Sequence, residues 1–457
     1  MFSTDTYKKR RKKLIEQISS GMILFPANEY LPANYPNNVF PFRQDSTFLY
    51  YCGIDLPGIF LLIDTDNAST ILYGNEQTID DTIWTGPVTT LSELADKSGI
   101  NQVLPLSKLD SDVKNKKIHF IQPYQSEIKL KMQELLNIPV KQQRESASQT
   151  LVKAVISQRS VKEEQELQQI EETFNTVSIP MHREVMQHAK SGKTEAELNS
   201  LMHKKAAEYE YQMAFQPICS IRGEVLHNNT YANILKVGNL LLVDAGAENK
   251  MHYASDITRT TPVGGRFTEQ QKEIYSIILD AQLNSIKAIK TGMLYKDIHF
   301  IAARIIAKGL SDLNLIQCSP DEALELNIHT LFFPHGIGHM LGLDVHDMEN
   351  LGEDNVGYDK SISRSDKFGT ASLRLAKKVE TNNVVTVEPG IYFIPALIEK
   401  WKHEKLFAEK INYNALESYY QFGGIRIEDT VCVQQSGAKI IGEKLEKTIS
   451  EIETLCG

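Results

Sequence analysis

Three of the chain's twelve histidines, His335, His339 and His346, fall in the stretch FFPHGIGHMLGLDVHD between Phe332 and Asp347. Imidazoles this close together in an apolar, glycine-containing setting serve a metal site, an acid–base relay or a packed core. Acidic residues elsewhere bear on the choice. Asp244 ends the apolar run NLLLVDAG, and Asp256 follows twelve positions later in HYASDITRTTP, a separation that suits two adjacent strands of a hairpin with both carboxylates at one level. Glu388 ends the apolar part of NVVTVEPGIYF. Arg426 and Glu428 stand two apart in GGIRIEDT, so a strand aims both at one face and Ile425 and Ile427 at the other. Each signal alone has an ordinary explanation: an Asp before Gly is a turn residue, Glu388 a salt-bridge partner, Arg426–Glu428 an ion pair. Together, four carboxylates in apolar strands are expensive unless paired or coordinated. With one or two imidazoles they describe a site for hard or borderline divalent ions such as Mn²⁺, and two ions sharing ligands suit four carboxylates better than one. The spacing of His335 and His339 would fit a helix face, but the glycines between them argue for loop or strand backbone. His227, in GEVLHNN, is a weaker candidate. His119, His182, His188, His203, His252, His299, His329, His403 and Trp401 read as ordinary core or surface residues.

These residues need a scaffold. The first ~150 residues alternate short apolar runs with turn signals, and GMILFPA, GIFLLIDTD and ILYG read as strands with a turn at Asp64–Thr70. SQRSVKEEQELQQIEETF, from Ser157 to Phe174, is charged and helical in pattern, and a domain boundary is placed beside it, giving domains 1–157 and 158–457. Thr194 with Glu197 and Thr268 with Gln271 announce two helices by capping boxes. The second domain therefore reads as a sheet with helices packed on it, and the chain as α/β (α+β) overall.

Composition narrows the function. Hydrophobic residues make up 42% and charged residues 23%, ordinary for a globular protein. A net charge of -9 argues against nucleic acid or an anionic membrane as partner. The cysteines, Cys52, Cys219, Cys318, Cys432 and Cys456, are scattered without a CxxC, which fits a reducing compartment and offers no cysteine-based zinc site. The basic cluster YKKRRKK imitates the start of a signal peptide, but Glu16, Gln17, Ser19 and Ser20 interrupt the apolar run one would need. The expectation is a soluble cytoplasmic protein.

The segments LHNN, VDAGAE, SDITRTTPVGGRFT, PHGIGHMLGLDVHD, TVEPGIYF and GGIRIED, in that order, resemble the metal-dependent proline-specific peptidases, aminopeptidase P and prolidase. FPFRQDSTFLYYCGIDLPG, from Phe40 to Gly58, resembles the N-terminal domain of the same family, so the resemblance spans nearly the whole chain. It implies an N-terminal aminopeptidase-P-like α/β domain followed by a pita-bread catalytic domain, and a dinuclear metallopeptidase that hydrolyses the Xaa-Pro bond. It also implies five ligands for two divalent ions, Mn²⁺ first, with Co²⁺ or Zn²⁺ as alternatives. Asp256 and Glu428 would bridge the ions, Asp244 would complete one, and His339 with Glu388 the other. His227, His335 and His346 match the family's histidines beside the metals and the substrate, and Arg426 the arginine that steadies the bridging glutamate. IWTG, from Ile83 to Gly86, resembles the segment whose tryptophan reaches a neighbouring subunit's site, which gives Trp84 a substrate-facing role in a homodimer or homotetramer. In the mechanism so implied, Glu388 takes the attacking water's proton and passes it to the prolyl nitrogen, His346 helps stabilise the oxyanion, and His227 positions the substrate.

What lies beyond proline separates the two closest activities. SLRLAKK carries Arg374 and resembles the prolidase segment whose arginine faces a dipeptide's carboxylate, and the long insertion between Glu388 and Glu428 also looks prolidase-like. The sequence therefore favours an Xaa-Pro dipeptidase acting on proline-containing dipeptides, with aminopeptidase P on longer peptides as the alternative. The chain departs from the family in places. The Asp244–Asp256 spacing is one residue longer than usual, which predicts a bulged hairpin. Thr381-Asn382 replaces a Pro-Gly turn, Lys377 replaces an arginine, and about seven extra residues precede Glu388, expected as a loop. Three other classes compete: a catalytically inactive pita-bread binding module and a metal-free creatinase type, both opposed by the complete ligand set, and a methionine aminopeptidase, which would not explain the first domain.

Overall fold

Five short strands in the first 120 residues make one mixed sheet, in the spatial order Gln102–Leu104, Ser69–Tyr73, Phe60–Asp64, Met22–Pro26, Ile118–His119. The inner three are antiparallel, and the outer pairings are parallel. The turn between Phe60–Asp64 and Ser69–Tyr73 forms as its sequence predicts: the Asp64 carboxylate accepts from the backbone N–H of Asp66 and Asn67, and Ala68 takes φ 52°. Leu24, Phe60, Leu62 and Tyr73 pack with Phe120, Ile128 and Met132 as the core of this unit. The basic N-terminal cluster lies in the helix Thr4–Gln17, where Arg10 and Arg11 are buried and Arg11 donates to the carbonyls of Tyr51 and Ser98. Two of its charges thus serve the fold.

The computed structural model describes residues 1–457, which form two compact units, 1–159 with 350–355, and 160–349 with 356–457. The helical pattern over Ser157–Phe174 is two helices, Gln149–Ser160 and Glu164–Thr173, parted at Val161–Glu163. No helix is long and apolar enough to cross a membrane.

In the second unit both expected capping boxes are present, and they start the helices Glu195–Ala207 and Glu269–Ala288. Three strands, Ile218–Ser220, Leu240–Ala245 and Ile257–Pro262, form one antiparallel sheet. The stretches read as single strands near the other carboxylates are each interrupted. Val384–Val387 and Gly390–Tyr392 are parted at Glu388-Pro389, and Gly424–Arg426 and Asp429–Gln434 at Ile427-Glu428. Register is unbroken across these interruptions, with Val387 opposite Asp429 and Gly390 opposite Arg426. Glu388 therefore stands directly opposite Glu428. Glu428 is in turn bridged to Thr258, and Thr258 is opposite Asp244. One line across four strands thus runs Asp244, Thr258, Glu428, Glu388, with all four side chains on one face because opposed residues share a face.

Two expectations are corrected here. The hairpin between Asp244 and Asp256 does not bulge: the register set by Asp244 opposite Thr258 continues to the bridge Glu248–Ala254. The extra residue is absorbed in the turn, where Asn249 N–H bonds to the Tyr253 carbonyl and His252 takes φ 64°. The extra residues before Glu388 are not plain loop: the segment includes a helix at Glu353–Gly357, and Tyr358 and Arg364 both donate to the Leu373 carbonyl. The Thr381-Asn382 turn survives as its chemistry allows, with Asn382 at φ 66°.

Candidate metal centre

The histidine-rich stretch is extended where it meets the carboxylates. Met340 bridges Val385, and the N–H groups of Thr386 and Glu388 bond to the carbonyls of His339 and Ile337. Gly338 makes this approach possible, since a Cβ there would lie 2.0 Å from the Thr386 carbonyl oxygen. The Thr386 hydroxyl accepts from the His339 N–H, and Tyr295, on the helix Tyr295–Asp312, donates to the Thr386 carbonyl. The strand of His339 is thereby fixed against that of Glu388.

Asp256 lies one residue before its strand, on the same face as Asp244, and feels its charge. His339 Nε2 is 3.4 Å from Asp256 Oδ2 and 3.7 Å from Glu388 Oε1. One donor atom each from Asp256, His339 and Glu428 lies within 4.8 Å of the others. Asp256, His339 and Glu428 are 5%, 4% and 1% exposed. His339 Nδ1 is 3.0 Å from the Met340 carbonyl, which accepts its proton, and Nε2 is turned toward the carboxylates, the ring orientation a metal ligand needs.

The electrostatics are those of a site built around missing positive charge. Burial, followed by the charges of Asp244 and Glu388, holds the Asp256 carboxyl well above the usual range. Burial, then Asp256 and Glu388, does the same to Glu428, and burial raises Glu388. Asp244 Oδ1, Asp256 Oδ1 and Glu428 Oε1 are buried without hydrogen-bond partners. Buried acceptors are ordinarily satisfied, and three orphaned carboxylate oxygens, two of them on the residues grouped with His339, fit divalent cations by donor type.

Arg426 supports this face from the side. It donates from Nη2 to Asp244 Oδ2 at 2.5 Å, from Nε to the Thr258 hydroxyl at 3.1 Å and from Nη1 to the Tyr392 hydroxyl at 2.7 Å. Thr258 in turn donates to Glu428 Oε2 at 2.8 Å. His335 Nδ1 bonds to the Gly336 carbonyl, which leaves Nε2 to accept from the Tyr392 O–H at 2.8 Å. Burial, then the charge of Arg426, lowers His335 to about 3, so the ring is neutral.

The remaining candidates are less closely joined to the cluster. His346 stacks edge-on to His339 with ring centroids 4.2 Å apart, and its Nδ1 is 3.2 Å from Glu349 Oε2. His227 is exposed and feels the charges of Arg426, Asp244 and Arg374. Arg374 does not stand open to an incoming carboxylate: its Nη1 donates to both oxygens of Glu349, at 2.7 and 2.6 Å. Trp84 lies in the first unit, 85% exposed, on the helix Ile79–Thr85, which buries no residue.

Sequence reasoning missed Tyr392, Thr258, Thr386 and Glu349. Tyr392 was findable, because it lies four residues after Glu388, on the same strand face by the period of two. The other three carried no signal of their own.

The metallopeptidase family M24 profile matches residues 175–435, and the aminopeptidase P N-terminal domain profile matches residues 7–119. A protein of Uncinocarpus reesii named a probable Xaa-Pro aminopeptidase is 30% identical, over 97% of this chain and 91% of its own length. One of Aspergillus niger with the same description is 31% identical, over 95% of this chain and 93% of its own. Among solved structures, zinc-substituted aminopeptidase P of E. coli in complex with product superposes with a TM-score of 0.82 at 26% identity, and Pseudomonas aeruginosa aminopeptidase PepP with 0.83 at 24%. Each covers 100% of this chain, with 98% of the solved chain matched. The arrangement is the expected one, an aminopeptidase-P-like α/β domain followed by a pita-bread domain.

Proposed function

Since this chain belongs to metallopeptidase family M24, we propose that it is an Xaa-Pro aminopeptidase, removing the N-terminal residue from peptides with proline in second place. The M24 profile and the matching relatives support a metal-dependent peptidase of the Xaa-Pro type. The preference for peptides over dipeptides rests on the names of the matching relatives, which are aminopeptidases. The sequence-based preference for a dipeptidase, drawn from Arg374 and the insertion before Glu428, yields to those names, and Arg374 is paired with Glu349.

The observation that carries the chemistry is the set of orphaned oxygens on Asp244, Asp256 and Glu428, with Asp256 and Glu428 grouped with His339. These residues with Glu388 would hold two divalent ions, Mn²⁺ by the oxygen-rich donor set, and bound ions would supply a water of lowered pKa and a polarised scissile carbonyl. Glu388, raised by burial, is suited to hold a proton and pass it to the prolyl nitrogen. That nitrogen carries no hydrogen in an Xaa-Pro bond and must gain one to leave. Arg426 holds Asp244 and, through Thr258, Glu428 in place. His227 and His346 bind and orient the peptide. His346 Nδ1 lies 3.2 Å from Glu349 Oε2, which orients the ring, and His346 keeps its proposed part in stabilising the oxyanion. The exposed Trp84 helix is proposed as a contact with a second copy of the chain.

The test is alanine release from Ala-Pro-Ala and Ala-Pro by Mn²⁺-loaded protein, beside a chelated control. Chelator-sensitive release from the tripeptide is expected. Turnover of the dipeptide alone would restore the dipeptidase reading, and no turnover of either would sink both.

A further inference from the structure

Two guanidinium groups bear on His227, His335 and Glu388: those of Arg426 and Arg374. Arg426 is 4% exposed and committed to Asp244, Thr258 and Tyr392. Arg374 is the reachable one, its side chain 32% exposed. A substrate that ends at proline brings a carboxylate past the scissile bond, and a longer peptide brings a neutral amide to the same place. Arg374 is the group such a carboxylate would seek, by a charge-assisted pair of the kind that recognises carboxylates strongly.

Glu349 already answers that charge, with both of its oxygens within hydrogen-bond distance of Arg374 Nη1. The same carboxylate touches His346 Nδ1, so it is held from two sides. Burial alone would raise Glu349, but His346 and Arg374 outweigh it and bring it down to about 2, so it is charged at any working pH. A dipeptide's carboxylate therefore meets a guanidinium already paired, with a like charge beside it. Rejection by an opposing charge is a standard route to specificity.

We propose that Glu349 is a specificity-determining residue: it withholds Arg374 from a free prolyl carboxylate and so biases the site against Xaa-Pro dipeptides and toward longer peptides. This rests on the aminopeptidase reading above. Glu349 also braces His346, so its loss lowers turnover of every substrate, and the informative quantity is the ratio of kcat/KM for Ala-Pro to that for Ala-Pro-Ala.

In Mn²⁺-loaded full-length protein, Glu349→Gln is expected to raise that ratio about tenfold, the scale of one charged hydrogen bond, through a lower KM for the dipeptide. Glu349→Asp, which keeps the charge, should leave the ratio near wild type. Adding Arg374→Ala to Glu349→Gln should abolish the gain. Calorimetry supplies a readout without turnover: Glu349→Gln should bind proline more tightly than wild type does, with prolinamide unchanged. Glu349→Ala repeats both measurements should the glutamine variant fold poorly. An unchanged ratio together with unchanged proline binding overturns the proposal while wild-type cleavage of Ala-Pro-Ala keeps the aminopeptidase reading. Wild-type cleavage of Ala-Pro as fast as Ala-Pro-Ala also overturns it. Failure of wild type to cleave Ala-Pro-Ala removes the underlying reading instead.

Discussion

Asp256→Asn should abolish metal binding and activity and yet make the metal-free protein more stable. Asp256 is buried, feels the charge of Asp244, and has an oxygen with no hydrogen-bond partner. Leaving a buried acceptor unsatisfied costs about 1–3 kcal/mol. Two like charges about 4 Å apart repel by ~4 kcal/mol at an effective dielectric constant of 20. An amide at the same position carries no charge and can donate to Asp244 or Glu428, so the expected gain at pH 7 in chelator is about 1–3 kcal/mol. The sign follows from linkage. Burial and neighbouring carboxylates raise Asp256, so the stability of its protonated form is fully present below the ordinary carboxylate range and is lost as pH rises through the raised value. Metal-free wild type should therefore weaken from about pH 4 upward, and Asp256→Asn should flatten that slope. Urea denaturation of both proteins, chelated and with Mn²⁺, reads all of this. Mn²⁺ should stabilise wild type, by ~2.7 kcal/mol at a hundredfold excess over its dissociation constant, and do little for the variant. A chelated variant less stable than chelated wild type, with Mn²⁺ without effect on either, would refute the claim that the cluster is strained for a metal.

Three further outcomes are expected. Tyr392→Phe removes the O–H that meets His335 and the oxygen that accepts from Arg426, and should reduce stability by roughly 1–3 kcal/mol and kcat/KM by about tenfold or more, checked by denaturation and peptide turnover. Gly338→Ala would drive its Cβ into the Thr386 carbonyl and part the His339 strand from the Glu388 strand, so metal content measured after dialysis should fall with activity. At Asp429, burial would raise the carboxyl, but Arg259 and Lys447 outweigh it and bring it down to about 2. That stabilisation is present above the unfolded value and lost as pH falls through about 2, so Asp429→Asn should cost about 2 kcal/mol at pH 7 and shrink the difference from wild type in acid denaturation below pH 3.

The sequence was most legible where a single strand or turn fixed the outcome. Apolar runs interrupted by a carboxylate at Asp244, Glu388 and Glu428 are anomalous whatever their partners, because an ionised group in such a run needs a reason. Capping boxes at Thr194 and Thr268 and the left-handed Asn382 are equally local, and all three formed as expected. What stayed hidden was what distant segments do to one another. Thr258 lies between Asp244 and Glu428 only because two hairpins far apart in sequence meet at the bridge Thr258–Glu428. A threonine in ITRTTP gives no hint of that. Arg374 shows the same limit: its resemblance to a carboxylate-binding arginine is visible in the sequence, and its partner Glu349, 25 residues away, is not.

The line Asp244, Thr258, Glu428, Glu388 also explains why the carboxylates sit on strands. A ladder of opposed residues holds side chains at spacings set by the backbone, so like charges cannot drift apart to relieve their repulsion. A loop would yield and give up the geometry. Here the geometry is held by Arg426 on one side and by the Gly338–Thr386 approach on the other, and bound cations would relieve the repulsion. The proposed discrimination between dipeptide and longer peptide falls to Glu349 and Arg374, which are not members of that ladder.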